Sequence, residues 1–335
     1  MDIAIVGASG YAGAELYRLA AGHPDLDVVL ATAGTHAGDP IATHVPGLAA
    51  LVGDAVYAPT AAIEDAEVET VFIALPHGQS QAIVPGLLDR GVRVVDLGAD
   101  FRLRAATSYA TWYGHEHGVP DLLARAVYGL VERHRDELPG AQLVASPGCY
   151  PTASILALGP FVDAGLVESG PMVVNALSGT SGAGRSASER LQFSRLAGNA
   201  EAYGLLTHRH TPEMEQELGM SLLFTPHLVP VSRGMLVTAY ARVRDVHVDP
   251  IALLREAYAN DPFVVVVDDP PALKDAVGSN LCFVSARVDT RTGWLVAMSA
   301  IDNLIKGAAG QAIQAWNVAT GIDEVTGLPR AGVTP

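Results

Sequence analysis

Cys149 is where this sequence most plainly offers chemistry. It is one of two cysteines in 335 residues, set in Pro147-Gly148-Cys149-Tyr150-Pro151-Thr152 after the run Gln142-Leu143-Val144-Ala145-Ser146. The run reads as the end of a buried strand. Gly148 lets the backbone turn sharply, and Pro151 suits a first helical turn. Cys149 is therefore expected at or just before a helix N-terminus, where the helix dipole favours the thiolate that attacks carbonyl carbons. Cys282, in Ser279-Asn280-Leu281-Cys282-Phe283-Val284, has the flanks of an ordinary strand and reads as structural.

A nucleophile of this kind needs proton transfer, and Thr207-His208-Arg209-His210-Thr211-Pro212-Glu213 can supply it. Thr211 and Pro212 read as the N-cap and first residue of a helix. His208 and His210 are the acid/base candidates and Arg209 an anion clamp. His210 is slightly preferred, because the nearby helix dipole keeps its ring neutral. The His-x-His spacing lacks a third His or Cys ligand close by, so no metal is expected.

The elements that must position these groups begin at the N-terminus. Asp2-Ile3-Ala4-Ile5-Val6 reads as a strand, and Ala14-Glu15-Leu16-Tyr17-Arg18-Leu19-Ala20 has helical spacing. Between them Gly7, Gly10 and Gly13 form a GxxGxxG variant of the dinucleotide fingerprint, with pyrophosphate received at the helix N-terminus. Gly7, Ser9, Gly10, Tyr11, Ala12 and Gly13 are the expected cofactor contacts. The next strand, Asp27 to Ala31, runs into Thr32-Ala33-Gly34-Thr35 without the carboxylate that holds an NAD ribose. Thr32 and Thr35 are expected at a 2′-phosphate instead, which favours NADP.

Strands at 69–75 and 92–97 continue a doubly wound α/β pattern and end in Pro76-His77-Gly78 and Gly98-Ala99-Asp100-Phe101-Arg102. His77 and Arg102 stand there as ligand candidates. After Cys149 a helix is expected from Thr152 to Ala164, then a strand at 171–177. The loop Ser178-Gly179-Thr180-Ser181-Gly182-Ala183-Gly184-Arg185 follows, with Ser178 and Gly182 on the cofactor and Arg185 on substrate. A strand at 295–301 leads to a helix from Asp302, whose Asn303 is a candidate for the nicotinamide carboxamide.

Composition agrees with a soluble, two-domain protein. Apolar residues make up 49% and charged residues 17%, and no apolar run reaches the ~18 residues of a membrane span. The first residues carry no basic leader and run straight into a strand, so a cytoplasmic location is expected. The formal charge of −15 disfavours nucleic acid and anionic membranes as partners.

Taken in order, the Gly7–Gly13 loop, Leu75-Pro76-His77-Gly78, Gly98 to Arg102, Pro147 to Thr152, Ser178 to Arg185, His208 to Glu213 and Asp302-Asn303-Leu304-Ile305-Lys306-Gly307 resemble the N-acetyl-gamma-glutamyl-phosphate reductases of arginine biosynthesis. The resemblance spans essentially the whole chain. One departure is Val131, where that family usually carries proline. The resemblance implies an NADP-binding Rossmann domain at 1–148, completed by a C-terminal helix at 302–335. It implies an α+β catalytic and oligomerisation domain at 149–301, like that of aspartate-semialdehyde dehydrogenase, and a homo-oligomer, dimer or tetramer. The substrate it implies is a small acyl phosphate, attacked by Cys149 to a thioester that NADPH then reduces. Arg102, Arg185 and Arg209 are the cations available for its phosphate and carboxylate. A sister reductase acting on an aminoadipyl phosphate in lysine synthesis is the alternative. A Rossmann regulator without chemistry would have no use for Cys149 and the paired histidines.

Overall fold

The computed structural model describes residues 1–333. The chain forms two compact units, Met1–Pro147 with Ala308–Leu328, and Gly148–Gly307 with the described residues from Pro329 on. The first unit is built on a six-stranded parallel sheet of order β2-β1-β3-β4-β6-β5. Its strands are β1 (Asp2–Val6), β2 (Asp27–Thr32), β3 (Thr70–Ile73), β4 (Arg93–Asp96), β5 (Ala126–Tyr128) and β6 (Leu143–Ala145). Short continuous apolar runs form them because a parallel sheet is covered on both faces. Val6, Val71, Ile73, Val94 and Leu143 meet in one core. From β1 the chain places β2 on one side and β3 on the other, a switch point that opens a crevice at the strands' C-terminal ends. Helix α1 (Tyr11–Ala21) leaves from that point.

Val131 opens a short helix, Val131–His134, and is fully buried. A first helical position accepts proline without losing a hydrogen bond, so the turn survives the departure noted above.

The second unit holds a seven-stranded mixed sheet of order β11-β12-β13-β10-β7-β9-β8. Its strands are β7 (Met172–Ser178), β8 (Glu201–Ala202), β9 (Leu222–Leu228), β10 (Met235–Arg242), β11 (Val264–Val266), β12 (Cys282–Asp289) and β13 (Trp294–Ile301). Along β7, β9 and β10 buried residues alternate with partly exposed ones, the period of a sheet with one covered face. The unit also contains α2 (Cys149–Asp163) and α3 (Thr211–Leu218). Residues 150 to 161 of α2 are all buried, as expected of a helix apolar all round. Ser299 Oγ on β13 donates to the Ala153 carbonyl at 2.7 Å, and the Tyr258 hydroxyl to that of Leu156 at 2.6 Å. Cys282 is fully buried in β12, as its flanks imply.

Three helix boundaries differ from the sequence expectation. Helix α2 starts at Cys149 rather than Thr152, with Gly148 in extended conformation as its cap (φ −71°, ψ 154°). The cap of α3 is His210, one residue before Thr211. No continuous helix runs on from 302. The Asp302 carboxylate instead accepts the N–H groups of Leu304 and Ile305, a π-turn covers Ile305–Ala309, and α4 spans Gly310–Thr320. Helix α4 belongs to the first unit, where its Trp316 indole donates to Thr70 Oγ1 at 3.1 Å.

Candidate active site

Cys149 occupies the first position of α2, partly exposed, where first-turn N–H groups lack partners within the helix. That geometry stabilises an anion. The preceding turn is pinned: Gly148 N–H donates to buried Glu213 Oε1 at 2.8 Å, and Thr152 Oγ1 returns to the Gly148 carbonyl at 3.0 Å. The π-turn supplies a close neighbour, since a Cβ on Gly307 would lie 2.7 Å from that of Cys149. Only glycine fits there.

Glu213 lies on α3, three residues after His210, so the pinned turn and the histidine pair share one scaffold. Tyr150 completes it. Its ring centroid is 5.4 Å from that of His208, 5.9 Å from His210 and 5.1 Å from Phe224, all edge to face. Its hydroxyl pairs with that of Tyr203 at 2.9 Å. Burial raises the pKa of both phenols, that of Tyr203 to about 12, so neither ionises near neutrality.

The two histidines are not equivalent. His208 Nδ1 accepts the His210 N–H at 3.2 Å, which leaves the ring proton of the neutral form on Nε2. Burial, and secondarily the Arg209 charge, pushes the His208 pKa down to about 4. Because this value lies below the ordinary ~6.5, folding favours the neutral ring. The associated stability is complete above about pH 6.5 and is lost as pH falls toward 4. His208→Gln is therefore expected to lose less stability than the wild type between pH 7 and pH 4.5, by roughly 1–3 kcal/mol in urea unfolding. Parallel pH profiles for the two proteins would contradict this reading of His208.

Ser178, Gly182 and Asn303 also gather in the second unit. Asn303 Nδ2 donates to Ser181 Oγ at 2.9 Å, and its Oδ1 accepts the Gly234 N–H at 2.8 Å. Its amide is thus committed to holding the serine-glycine loop, and at 2% exposure it differs from the expected cofactor contact. Ser178 is buried and its hydroxyl donates to the Gly179 carbonyl at 3.1 Å, while Gly182 is exposed. Arg185 and Arg209 are exposed on this unit.

In the first unit, the Gly7–Gly13 loop fits a dinucleotide. Gly7 is left-handed (φ +84°), and a Cβ there would strike the Ala74 carbonyl at 2.6 Å. A Cβ on Gly13 would lie 2.3 Å from the Gly7 carbonyl, so α1 presses on the loop as no other residue allows. At Gly10, the α1 cap, the nearest such atom is 3.7 Å away, leaving the helix N-terminus open. Tyr11 is exposed and Ser9, Gly10 and Ala12 partly so, which leaves this rim accessible. Thr35 is exposed beyond β2. Thr32 corrects the expectation: it is fully buried, and its carbonyl takes the Gly7 and Ala8 N–H groups at 3.1 and 2.9 Å. It shapes the loop from beneath. His77 is exposed, 5.7 Å from the Tyr113 ring. Arg102 is largely buried and donates to the carbonyls of Ser146 and Leu97, both at 2.8 Å.

Sequence reasoning left Glu213, Tyr150 and Tyr203 without roles. Glu213 carried a signal, an acid in the first turn of a helix beginning at the histidines. Tyr203 carried none, since only the fold brings it to Tyr150, 53 positions earlier.

Residues 2–141 match the family described as semialdehyde dehydrogenase, NAD binding domain, and residues 149–303 the semialdehyde dehydrogenase dimerisation domain. Full-length relatives include the N-acetyl-gamma-glutamyl-phosphate reductases of Symbiobacterium thermophilum, 45% identical with 98% of each chain covered, and of Heliobacterium modesticaldum, 42% identical with 99% of each covered. Among solved structures, aspartate semialdehyde dehydrogenase II of Vibrio cholerae in complex with ASA superposes with a TM-score of 0.71 at 17% identity, covering 95% of this chain and 97% of that one. The Candida albicans aspartate semialdehyde dehydrogenase with NADP gives 0.66 at 14% identity, with 95% and 97% covered. These two share the fold.

Proposed function

The chain belongs to the N-acetyl-gamma-glutamyl-phosphate reductase family, and on that premise we propose that it reduces N-acetyl-L-glutamyl 5-phosphate to the 5-semialdehyde, releasing phosphate, in arginine biosynthesis. The observation that carries the reading is Cys149 at the head of α2, its turn pinned by Glu213 from the helix that also bears the histidines.

Cys149 Sγ attacks the acyl carbon, the carbon–oxygen bond to phosphate breaks, and the acyl group is held as a thioester. The Gly7–Gly13 loop would hold a nicotinamide dinucleotide, which would supply the hydride that takes this carbon to the aldehyde level. Main-chain N–H groups at the head of α2 stabilise charge developing on the acyl oxygen. His210 moves the proton at sulfur or oxygen. Its neighbour His208, neutral with its proton on Nε2, donates a hydrogen bond to substrate. Arg102, Arg185 and Arg209 serve the substrate's phosphate and carboxylate.

The cofactor is a nicotinamide dinucleotide, and NADP is the form we infer. No carboxylate follows β2 until Asp39, which is engaged by His36 Nδ1 at 3.0 Å. The protein is a homo-oligomer through its dimerisation domain. The outer sheet face carrying Val173, Leu177, Leu223 and Tyr240 is the surface we assign to a dimer. From its kinship with amino-acid-biosynthetic reductases we assign the enzyme to the cytoplasm; among the described residues no helix is long and apolar enough to cross a membrane.

Purified protein given N-acetyl-glutamyl phosphate or the aminoadipyl analogue, with NADPH or NADH, should turn over the first substrate with NADPH at a kcat/KM at least about tenfold above any other pairing. Preference for the aminoadipyl phosphate would move the enzyme to lysine synthesis. Equal use of NADH would remove the cofactor assignment.

A further inference from the structure

We propose that Asp96 is a positioning residue that acts as a neutral, hydrogen-bond-donating acid, locking the loop after β3 to the loop after β4 through Ser80 and Asp100. Ser80 Oγ lies 2.9 Å from Asp96 Oδ2 and 2.7 Å from Asp100 Oδ2, and all three side chains are essentially inaccessible to water. A hydroxyl has one proton to donate. Two such short contacts to carboxylates therefore require a second proton, carried by one of the acids and given to Ser80 Oγ.

The remaining partners decide which acid carries it. Asp100 already accepts the N–H of Gly78 at 2.6 Å and that of Ser80 at 3.1 Å, together with the Ser80 hydroxyl. With three donors aimed at it, Asp100 is the partner whose oxygens only accept. Among the described residues Asp96 accepts a main-chain N–H from Gly98 alone, on Oδ1 at 2.8 Å, which leaves Oδ2 as the protonated oxygen. The charged groups facing Asp96 are Asp100, which disfavours its ionisation, and Arg102, which weakly favours it. Burial is the larger effect, and together they push its pKa up to about 7.

The linked segments lie at the C-terminal ends of adjacent parallel strands, where open α/β sheets bind their ligands. One holds His77 and Gly78, the other ends in Arg102. The Asp100 carbonyl also accepts from His117 Nε2 at 2.6 Å, drawing a third segment into the lock. The positioning role rests on the reading of this unit as dinucleotide-binding, whereas the proton assignment does not.

Asparagine mimics the protonated acid at Asp96, its amide donating to Ser80 Oγ without titrating. At Asp100 the same change places an amide N–H against donors. Asp96 should take thermal stability away from the wild type as pH rises from about 4 to 8, opposing the contribution of His208, because the Asp96 folded-state pKa exceeds the unfolded value and folding retains a proton the unfolded chain gives up. Asp96→Asn should lose less over that range, by at least about 3 °C in Tm, and at pH 7 should be more stable than Asp100→Asn. Equal Tm profiles for wild type and Asp96→Asn, a reversed order of the two variants, or failure of Asp96→Asn to fold would overturn the proton assignment. Fluorescence titration with NADPH tests the positioning role. Wild-type affinity should fall several-fold between pH 7 and 9, while Asp96→Asn keeps its affinity constant. A pH-independent affinity in both proteins would overturn that role and leave the question of reductase activity separate.

Discussion

Cys149→Ser will abolish acyl-phosphate reduction, by more than about 10³-fold in kcat, while binding NADPH with little change. The serine hydroxyl fits the same first helical position and leaves the Gly148–Glu213 bond in place, so α2 should form as before. What is lost is a thiol, a far stronger nucleophile toward an acyl carbon than a hydroxyl. The cofactor loop belongs to the other compact unit, which is why its affinity should survive. Cys282→Ser is the control, since that thiol is buried in β12 away from any proposed chemistry. Turnover by Cys149→Ser at the wild-type rate, with the substitution confirmed by mass, would remove the thioester mechanism. Loss of activity in a folded Cys282→Ser protein would reopen the choice of nucleophile.

The second large effect falls on the histidines. His210→Asn should lower kcat by ~10²–10⁴-fold, the usual contribution of a positioned acid/base. His208→Asn should act mainly on KM. The asymmetry has a structural cause: His208 has its Nδ1 occupied by the His210 N–H, and the medium holds its ring neutral until about pH 4. A ring so constrained can donate from Nε2 but is poorly placed to take a proton and pass it on. Steady-state kinetics on both variants decide the matter. If neither loses more than a few-fold in kcat, the proton-transfer role of this segment is wrong. If His208→Asn is the damaged one, the roles are exchanged.

Much of this site was legible in the sequence because its backbone demands unusual residues. Glycine at 7 and 13, where another side chain would strike a carbonyl, and the Gly148–Pro151 spacing around Cys149 are readable as types at positions. The parallel strands of the first unit were equally plain, being short apolar runs cut by glycine or proline. Burial and partner choice were not. Thr32 and Asn303 stand where ligand contacts are expected by chain position, yet their surroundings turn them inward. The strands β9 and β10 bury every second residue but hold no motif residue, so nothing in their chemistry marks them in the sequence. Of the Ser80–Asp96–Asp100 cluster only Asp100 belongs to a motif, and the meaning of the three depends on distances that no spacing encodes.

The division of the first unit into two stretches of chain also bears on how the protein is made. Helix α4 closes that unit, and its Trp316 reaches Thr70 across 246 positions of sequence. At translation speeds of ~5–20 residues per second, the surface that receives Trp316 waits roughly 12–50 s after Thr70 is synthesised before its cover exists. During that interval the nascent parallel sheet carries an open apolar flank while the whole second unit emerges behind it. Such a delay makes the newborn first unit a client for chaperones, and ties its completion to the synthesis of residues 310–320.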